Sequence, residues 1–458
     1  MKADLIEEME LPVVEVDLPR KRVVASFNYV RRELRAASHS ILSLFDQAIV
    51  SATAFFTAAI IGRMTSPDEL GLYYTTLAII LLVIGVQDQI IAVPYMFFAK
   101  RFEGRAHAEY AGSVWLHHAA LTVATMVGLV GAIAFFTIQG STSLLPGLWA
   151  LLVAAPLILF REEVRRFAFA DLHIGTAITM DVVVSVAQVA GLLALGYFGE
   201  LTLFAIFGVM GGSCALAAVV WLVLRPAQVE FRPERFRSDW KHNWAFGKWA
   251  LRGHLLNSSI PYLMIWLVNF AIGPAAAGIL GACSTLVGIT RVIQSGITNV
   301  LTTQASYAFS SGGWPALQRL LLRNTLFLGV TLGGICLVFV ATGDYLATLV
   351  YGDLYHGAGP TLIALARATL MSGFSVVAGN GLWAIDRARS NFIADICCAV
   401  GMIASAAVLV MPLGAFGAAL ATLIGNTAAT IVRVAILLRA WQSDLESGHG
   451  AVREGATG

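Results

Sequence analysis

Five charged residues, Asp46, Asp88, Arg252, Arg291 and Arg367, each interrupt an apolar stretch long enough to cross a bilayer. A charge at the centre of such a segment costs about 2.5–3.5 kcal/mol even on a lenient insertion scale, so each is expected to face a bundle interior or a wet cavity. Asp46 is followed by Gln47, with Ser51 and Phe55 further along the helix, and Asp88 stands between Gln87 and Gln89. Pro94, six residues on, frees a backbone carbonyl near Asp88. Three arginines in the second half of the chain and two aspartates in the first imply a cavity of uneven charge. The arginine fork donates bidentately and stays charged at low dielectric, which suits a phosphate or pyrophosphate. Arg252, Arg291 and Arg367 are therefore the candidate substrate-binding residues, with Trp266 as a face for a sugar ring. Asp46 and Asp88 are the candidates for coupling to a cation, H+ or Na+. The blander roles are snorkelling for Arg252 and Asp46, a structural ion pair for any of them, and core packing for Trp266.

Other chemistry is missing. The sequence has no GxxxxGK[ST] loop, no HExxH and no paired-cysteine ligand set, so neither an enzyme nor a resident cofactor or metal is expected. Cys214, Cys283, Cys336, Cys397 and Cys398 fall in apolar runs and read as small packed hydrophobes. His117 and His118 are adjacent, so on a helix they point about 100° apart and do not share an ion easily.

The elements that must position these residues follow from composition. The 458 residues are 58% hydrophobic and 13% charged, with a mean hydropathy of +0.76. A water-soluble domain needs more charge on its surface than that. The net charge of +2 gives no reason to expect a nucleic-acid partner. The opening MKADLIEEME is acidic and lacks the apolar core of a signal peptide. Twelve spans are expected, at about 40–62, 70–98, 112–137, 147–161, 174–197, 202–224, 247–270, 275–302, 321–342, 359–383, 392–411 and 414–438. The fourth is short, and its helix is expected to run on through Arg161 to Phe169 at the interface.

The polar stretch from Arg225 to Lys248 divides two apolar blocks and reads as a hinge-like linker. The domain plan is a polar tail (1–39), a six-helix lobe (40–224), a linker (225–246), a second six-helix lobe (247–438) and a C-terminal tail (439–458). Of the 30 lysines and arginines, Arg63 alone falls in a loop on the side away from the linker, and Arg252, Arg291 and Arg367 lie within spans. That asymmetry places the linker and both termini in the cytoplasm.

The two blocks match in the same direction. Pro67 and Gly71, between spans 1 and 2, correspond to Pro274 and Gly278 between spans 7 and 8, an offset of 207. FAFAD entering span 5, with Asp181 beyond, corresponds to LWAID entering span 11 with Asp395 beyond, an offset of 215 or 214. The fold class expected is an all-α polytopic membrane protein of about 12 helices in two parallel-repeat lobes, an arrangement that puts a substrate site between the halves.

Three stretches carry a family resemblance. DQAIVSATAFFTAAIIGRMTSPDELGLYY, with Asp46, Gln47, Ser51, Phe55, Arg63, Gly71 and Tyr73, resembles the opening of the polysaccharide-export (Wzx-like) flippases of the multidrug/oligosaccharidyl-lipid/polysaccharide superfamily. REEVRRFAFADLHIGTAITMD and ASYAFSSGGWPAL are similar to the same family, and the likeness spans most of 40–440. The resemblance implies a MATE-like fold in the bacterial inner membrane whose lobes alternate access. It also implies that an undecaprenyl-pyrophosphate-linked oligosaccharide is moved between leaflets for exopolysaccharide or O-antigen biosynthesis, with membrane lipids, a polysaccharide polymerase and export machinery as partners. The arginines' contact with the pyrophosphate is read from charge alone.

Three alternatives stay open at this point. A MATE-type drug or cation antiporter would use Asp46, Asp88, Asp181 and Asp395, and the intramembrane arginines disfavour it. A major-facilitator carrier also has 6+6 spans, but AKRFEGR lacks the Gly and Asp of that family's loop. A non-transporting scaffold of an envelope assembly has no need of buried arginine.

Overall fold

The computed structural model describes residues 42, 45–140, 142–224, 229–257 and 259–454, with side chains omitted at 224, 256, 257, 299 and 445–454. The proposed tail 1–39 and Arg225 lie outside the described residues. Helix α1 spans Phe45–Met64, α2 Pro67–Arg101, α3 Gly104–Ile138, α4 Leu145–Ala170, α5 Ile174–Tyr197 and α6 Leu203–Leu224. Helix α7 comes in two pieces, Phe236–Asn257 and Ile260–Ala271. Helix α8 (274–312) begins as Pro274–Val287 and continues into Ile289–Tyr351, which turns at Gly313 and goes on as α9 (314–351). Helix α10 is Gly359–Ala384, and Ala388–Glu454 turns at Gly414 to give α11 (388–413) and α12 (415–454).

Among the described residues nine helices are long and apolar enough to cross a membrane. Two of them are the double-length stretches, and shorter apolar pieces complete α7 and α8. Both sharp turns need glycine, because φ is 58° at Gly313 and 57° at Gly414, a region closed to most side chains. Pro315 and Pro412 flank them and discourage straight continuation.

The parallel repeat is visible in matching turns. Between α4 and α5, Leu172 has φ 60°, and the Leu172 and His173 amides donate to the carbonyls of Phe169 and Ala168. Between α10 and α11, Asp386 has φ 57°, and the Asp386 and Arg387 amides donate to Trp383 and Leu382. The same C-terminal cap thus recurs at an offset of 214. The register pairs Asp386 with Leu172 rather than with Asp171, because backbone conformation and not residue type is what repeats; Asp181 and Asp395 keep their match.

The lobes meet where the sequence placed the matching glycines. A β-carbon at Gly71 would collide with the Pro274 carbonyl, and one at Gly278 would collide with the Pro67 carbonyl. Helices α2 and α8 therefore cross backbone to backbone at one end of the bundle, by a reciprocal contact that larger residues would prevent. Tyr74 and Thr285 hydrogen-bond across the same seam at 2.5 Å, and the Arg63 guanidinium donates to the Leu349 carbonyl.

The stretch expected to be a hinge-like linker is instead fastened. From Phe236 onward it is already the first piece of α7. The Glu230 amide donates to the Ala108 carbonyl at 3.1 Å, and Arg105 clasps the Glu230 carboxylate at 2.8 and 3.0 Å. Hydrogen bonds from Arg105 and Arg232 hold the Glu230 carboxyl below its usual range. Arg232 and Arg235 reach Glu109 at 2.9 and 3.1 Å, and Tyr110 donates to Asn243 at 2.9 Å. The break in α7 falls between Asn257 and Ile260, ahead of Pro261, whose ring cannot join the preceding turn.

Candidate functional site

Helix α4 carries the densest buried charge in the described structure. REEVRR lies on the helix expected to run on through Arg161 to Phe169, but instead of sitting at the interface its residues Arg161, Glu163 and Arg165 are buried. Arg161 pairs with Glu162 and with Asp181 of α5. Arg165 donates through Nε to Asp181 at 2.8 Å and through Nη2 to Asp46 of α1. Arg166 reaches Asp88 on α2 at 2.5 Å. The seam between α1 and α5 continues in neutral bonds, Thr53 to Ser185 at 2.8 Å and Gln188 to Thr57 at 2.7 Å.

Asp46 and Asp88, the ion-coupling candidates, are thus each answered by an arginine of α4. Sequence reasoning missed those partners, together with Glu162 and Glu163 and the approach of His118 to Glu163. The signal was the run of the fourth helix through Arg161 to Phe169, which carries REEVRR; that this stretch is buried in the bundle and not at the interface is what the sequence did not show.

Asp88 opens a single π-turn, Asp88–Ala92, inside α2. Such a turn leaves the local ladder wider and re-aims its side chains, and it recurs at functional positions. His117 and His118 diverge as expected. His117 Nε2 lies 2.9 Å from the Phe236 carbonyl, whereas His118 points to Glu163.

The second lobe is built differently. At the place matching Asp181, Asp395 pairs with Arg433 of α12 at 2.5 Å, and Arg433 also donates to Asn391 at 3.0 Å and to Ser375 at 2.5 Å. Beside this pair, helices α7, α8, α10, α11 and α12 enclose a chamber of about 210 Å³. Its lining includes Arg291, Gln294, Ser284, Thr369, Ser372 and Asn426. Gln294 and Asn426 spend their amides on the Thr369 and Ala368 carbonyls, both at 3.0 Å. Ser284 and Thr369 donate to carbonyls of their own helices. Arg291 is the formal charge of the chamber wall, and it is exposed with no ion pair among the described residues. A chamber so lined favours an anion.

The other candidates are not gathered there. Arg367 is exposed on α10, whose chamber-facing residues are Leu365, Ala368, Thr369 and Ser372. Two positions from Leu365 is about 200° around a helix, so Arg367 points away from the chamber. Arg252 is exposed on the first piece of α7, its guanidinium 4.3 Å over the Trp249 ring. Trp266 lies on the second piece of α7, in an apolar groove with Leu82 and Val83 of α2 and Thr125 of α3. Its ring is tilted against Phe270 at 5.2 Å, and its Nε1 is buried without a hydrogen-bond partner.

No protein-family model matches the sequence, and no curated protein matches it. Solved structures do match in fold. The lipid II flippase MurJ in an inward closed conformation superposes with a TM-score of 0.67 at 13% identity, over 87% of this chain and 87% of that one. A multidrug resistance MATE family transporter of the MOP superfamily, in an inward-facing conformation, gives 0.62 at 17% identity, over 89% and 96%. A MOP superfamily transporter from Pyrococcus furiosus, described as having a binding pocket of reverse polarity, gives 0.60 at 17% identity, over 89% and 95%. The chain is a multi-pass membrane protein with the two-lobed fold that these MATE and MurJ structures share.

Proposed function

We propose that this protein is an alternating-access flippase that moves an undecaprenyl-pyrophosphate-linked oligosaccharide across the bacterial inner membrane for polysaccharide biosynthesis, upstream of a polymerase. The observation that carries the reading is Arg291, an exposed guanidinium without an acidic partner among the described residues, in the wall of a membrane-embedded chamber. Holding such a charge is costly unless a ligand or water answers it. A pyrophosphate answers it bidentately, and the flexible lipid tail can stay in the bilayer while the head crosses between the lobes. A fold shared with a lipid II flippase and with MATE transporters is consistent with this reading.

The cation-antiporter alternative loses ground on one point. Asp46, Asp88, Asp181 and Asp395, the carboxylates available to a cationic drug, are each ion-paired to an arginine of the protein itself. Glycan-export complementation, normalised for protein abundance, tests the proposal. Arg291→Ala should abolish export and Arg291→Lys, which keeps charge but loses the fork, should reduce it. Full export by Arg291→Ala would leave the substrate class without support. Both termini and the Glu230–Phe236 segment belong in the cytoplasm on this reading. Labelling of a cysteine at Ser238 from the periplasmic side of intact cells would overturn the orientation.

A further inference from the structure

Within the charge network of the first lobe, one acid is left out. Asp46, Glu162, Asp181 and Asp88 each contact a guanidinium of α4. Glu163 contacts none among the described residues, although it is wholly buried. Its Oε2 accepts a hydrogen bond from Gln87 Nε2 at 2.7 Å, and its Oε1 has no partner. Two more buried polar atoms beside it are also unmatched, Gln87 Oε1 and His118 Nδ1, the latter 3.9 Å from Glu163 Oε2. Apolar walls close the site, with the His118 ring edge-on to Trp115 and Phe160. An uncompensated carboxylate at this depth is strongly disfavoured, and binding a proton removes the charge.

We propose that Glu163, with His118 beside it, forms a proton-binding site inside the first lobe, and that its occupancy is coupled to the position of helix α2. The coupling part rests on the transport reading above. Its physical basis is the pair of consecutive residues Gln87 and Asp88: Gln87 holds Glu163, and Asp88 holds Arg166 at the start of the π-turn. Arg166 also feels the charge of Glu163. When Glu163 carries its proton, Arg166 is left to Asp88. When the proton leaves Oε1 for water, the new carboxylate draws Arg166 away and loosens Asp88, and α2 is the helix that crosses α8 at Gly71. The step makes or breaks one O–H bond and nothing else. The charged and titratable groups facing Glu163 are Asp88 and Tyr95 from α2, His118 from α3, and Glu162 and Arg166 from α4. His254 of α7 stands behind Asp88.

The site is tested without any substrate, by pH-difference infrared spectroscopy on the full-length protein in nanodiscs. The expected result is a protonated-carboxyl band that disappears as pH rises, moves when glutamate is isotopically labelled, is absent in Glu163→Gln and shifts in His118→Phe. A wild-type protein with no such band, or a band indifferent to the glutamate label, overturns the proposal even if no variant accumulates; so does a band retained in Glu163→Gln. Export at two medium pH values then tests the coupling: residual export by Glu163→Gln should no longer vary with pH, and unchanged pH dependence overturns the coupling while the glycan reading stands.

Discussion

The two lobes put their corresponding acids to different use. Asp181 in the first lobe lies between Arg161 and Arg165, both from α4, and Arg165 also ties in Asp46 of α1. Asp395 in the second lobe meets Arg433 from α12, because Ser375 and Gly379 stand on α10 where α4 has Arg161 and Arg165. One lobe is therefore cross-linked by charge through α1, α2, α4 and α5. The other has the Asp395–Arg433 pair and a chamber whose wall holds Arg291, which has no ion pair among the described residues. A duplicated scaffold can thus spend its arginines on its own acids in one half and, on the proposed reading, keep one for an anion in the other, since a buried guanidinium already satisfied within the protein has little left to offer a ligand.

The comparison can be broken by removing one group at a time. Arg165→Ala takes from Asp46 the guanidinium that answers it and leaves Asp181 with Arg161, and should cost about 3–5 kcal/mol, seen as a large drop in detergent melting temperature or failure to accumulate. Arg433→Ala removes one charged cluster at a less crowded seam, and should cost about 1.5–3 kcal/mol in the same assay. A penalty equal to that of Arg165→Ala would mean the lobes are braced alike. At the crossing, Gly71→Ala and Gly278→Ala should each cost about 1–3 kcal/mol, and by matching amounts because the contact is reciprocal. Harm from one substitution alone would show that α2 and α8 do not cross as described. Arg291→Ala, on an exposed and unpaired side chain, should change stability by less than about 0.5 kcal/mol while export fails. A destabilised Arg291→Ala protein would mean that this arginine braces the second lobe.

Much of this was legible in the sequence. Hydropathy fixed the class, because a spanning segment must be apolar along its whole length and so writes itself into composition. The Pro67/Gly71 and Pro274/Gly278 pairs announced the repeat, since close backbone approach tolerates no other residue. Arg291 could be singled out because a charge inside an apolar run is conspicuous in one dimension. The pairing of Asp46 with Arg165, of Asp88 with Arg166, and the exclusion of Glu163 from every arginine were not legible, because ion pairs join helices far apart in the chain. Nor could the sequence tell that Arg367 and Trp266 turn away from Arg291. Which face of a helix meets a cavity depends on how neighbouring helices rotate and pack, and only the tertiary structure decides that.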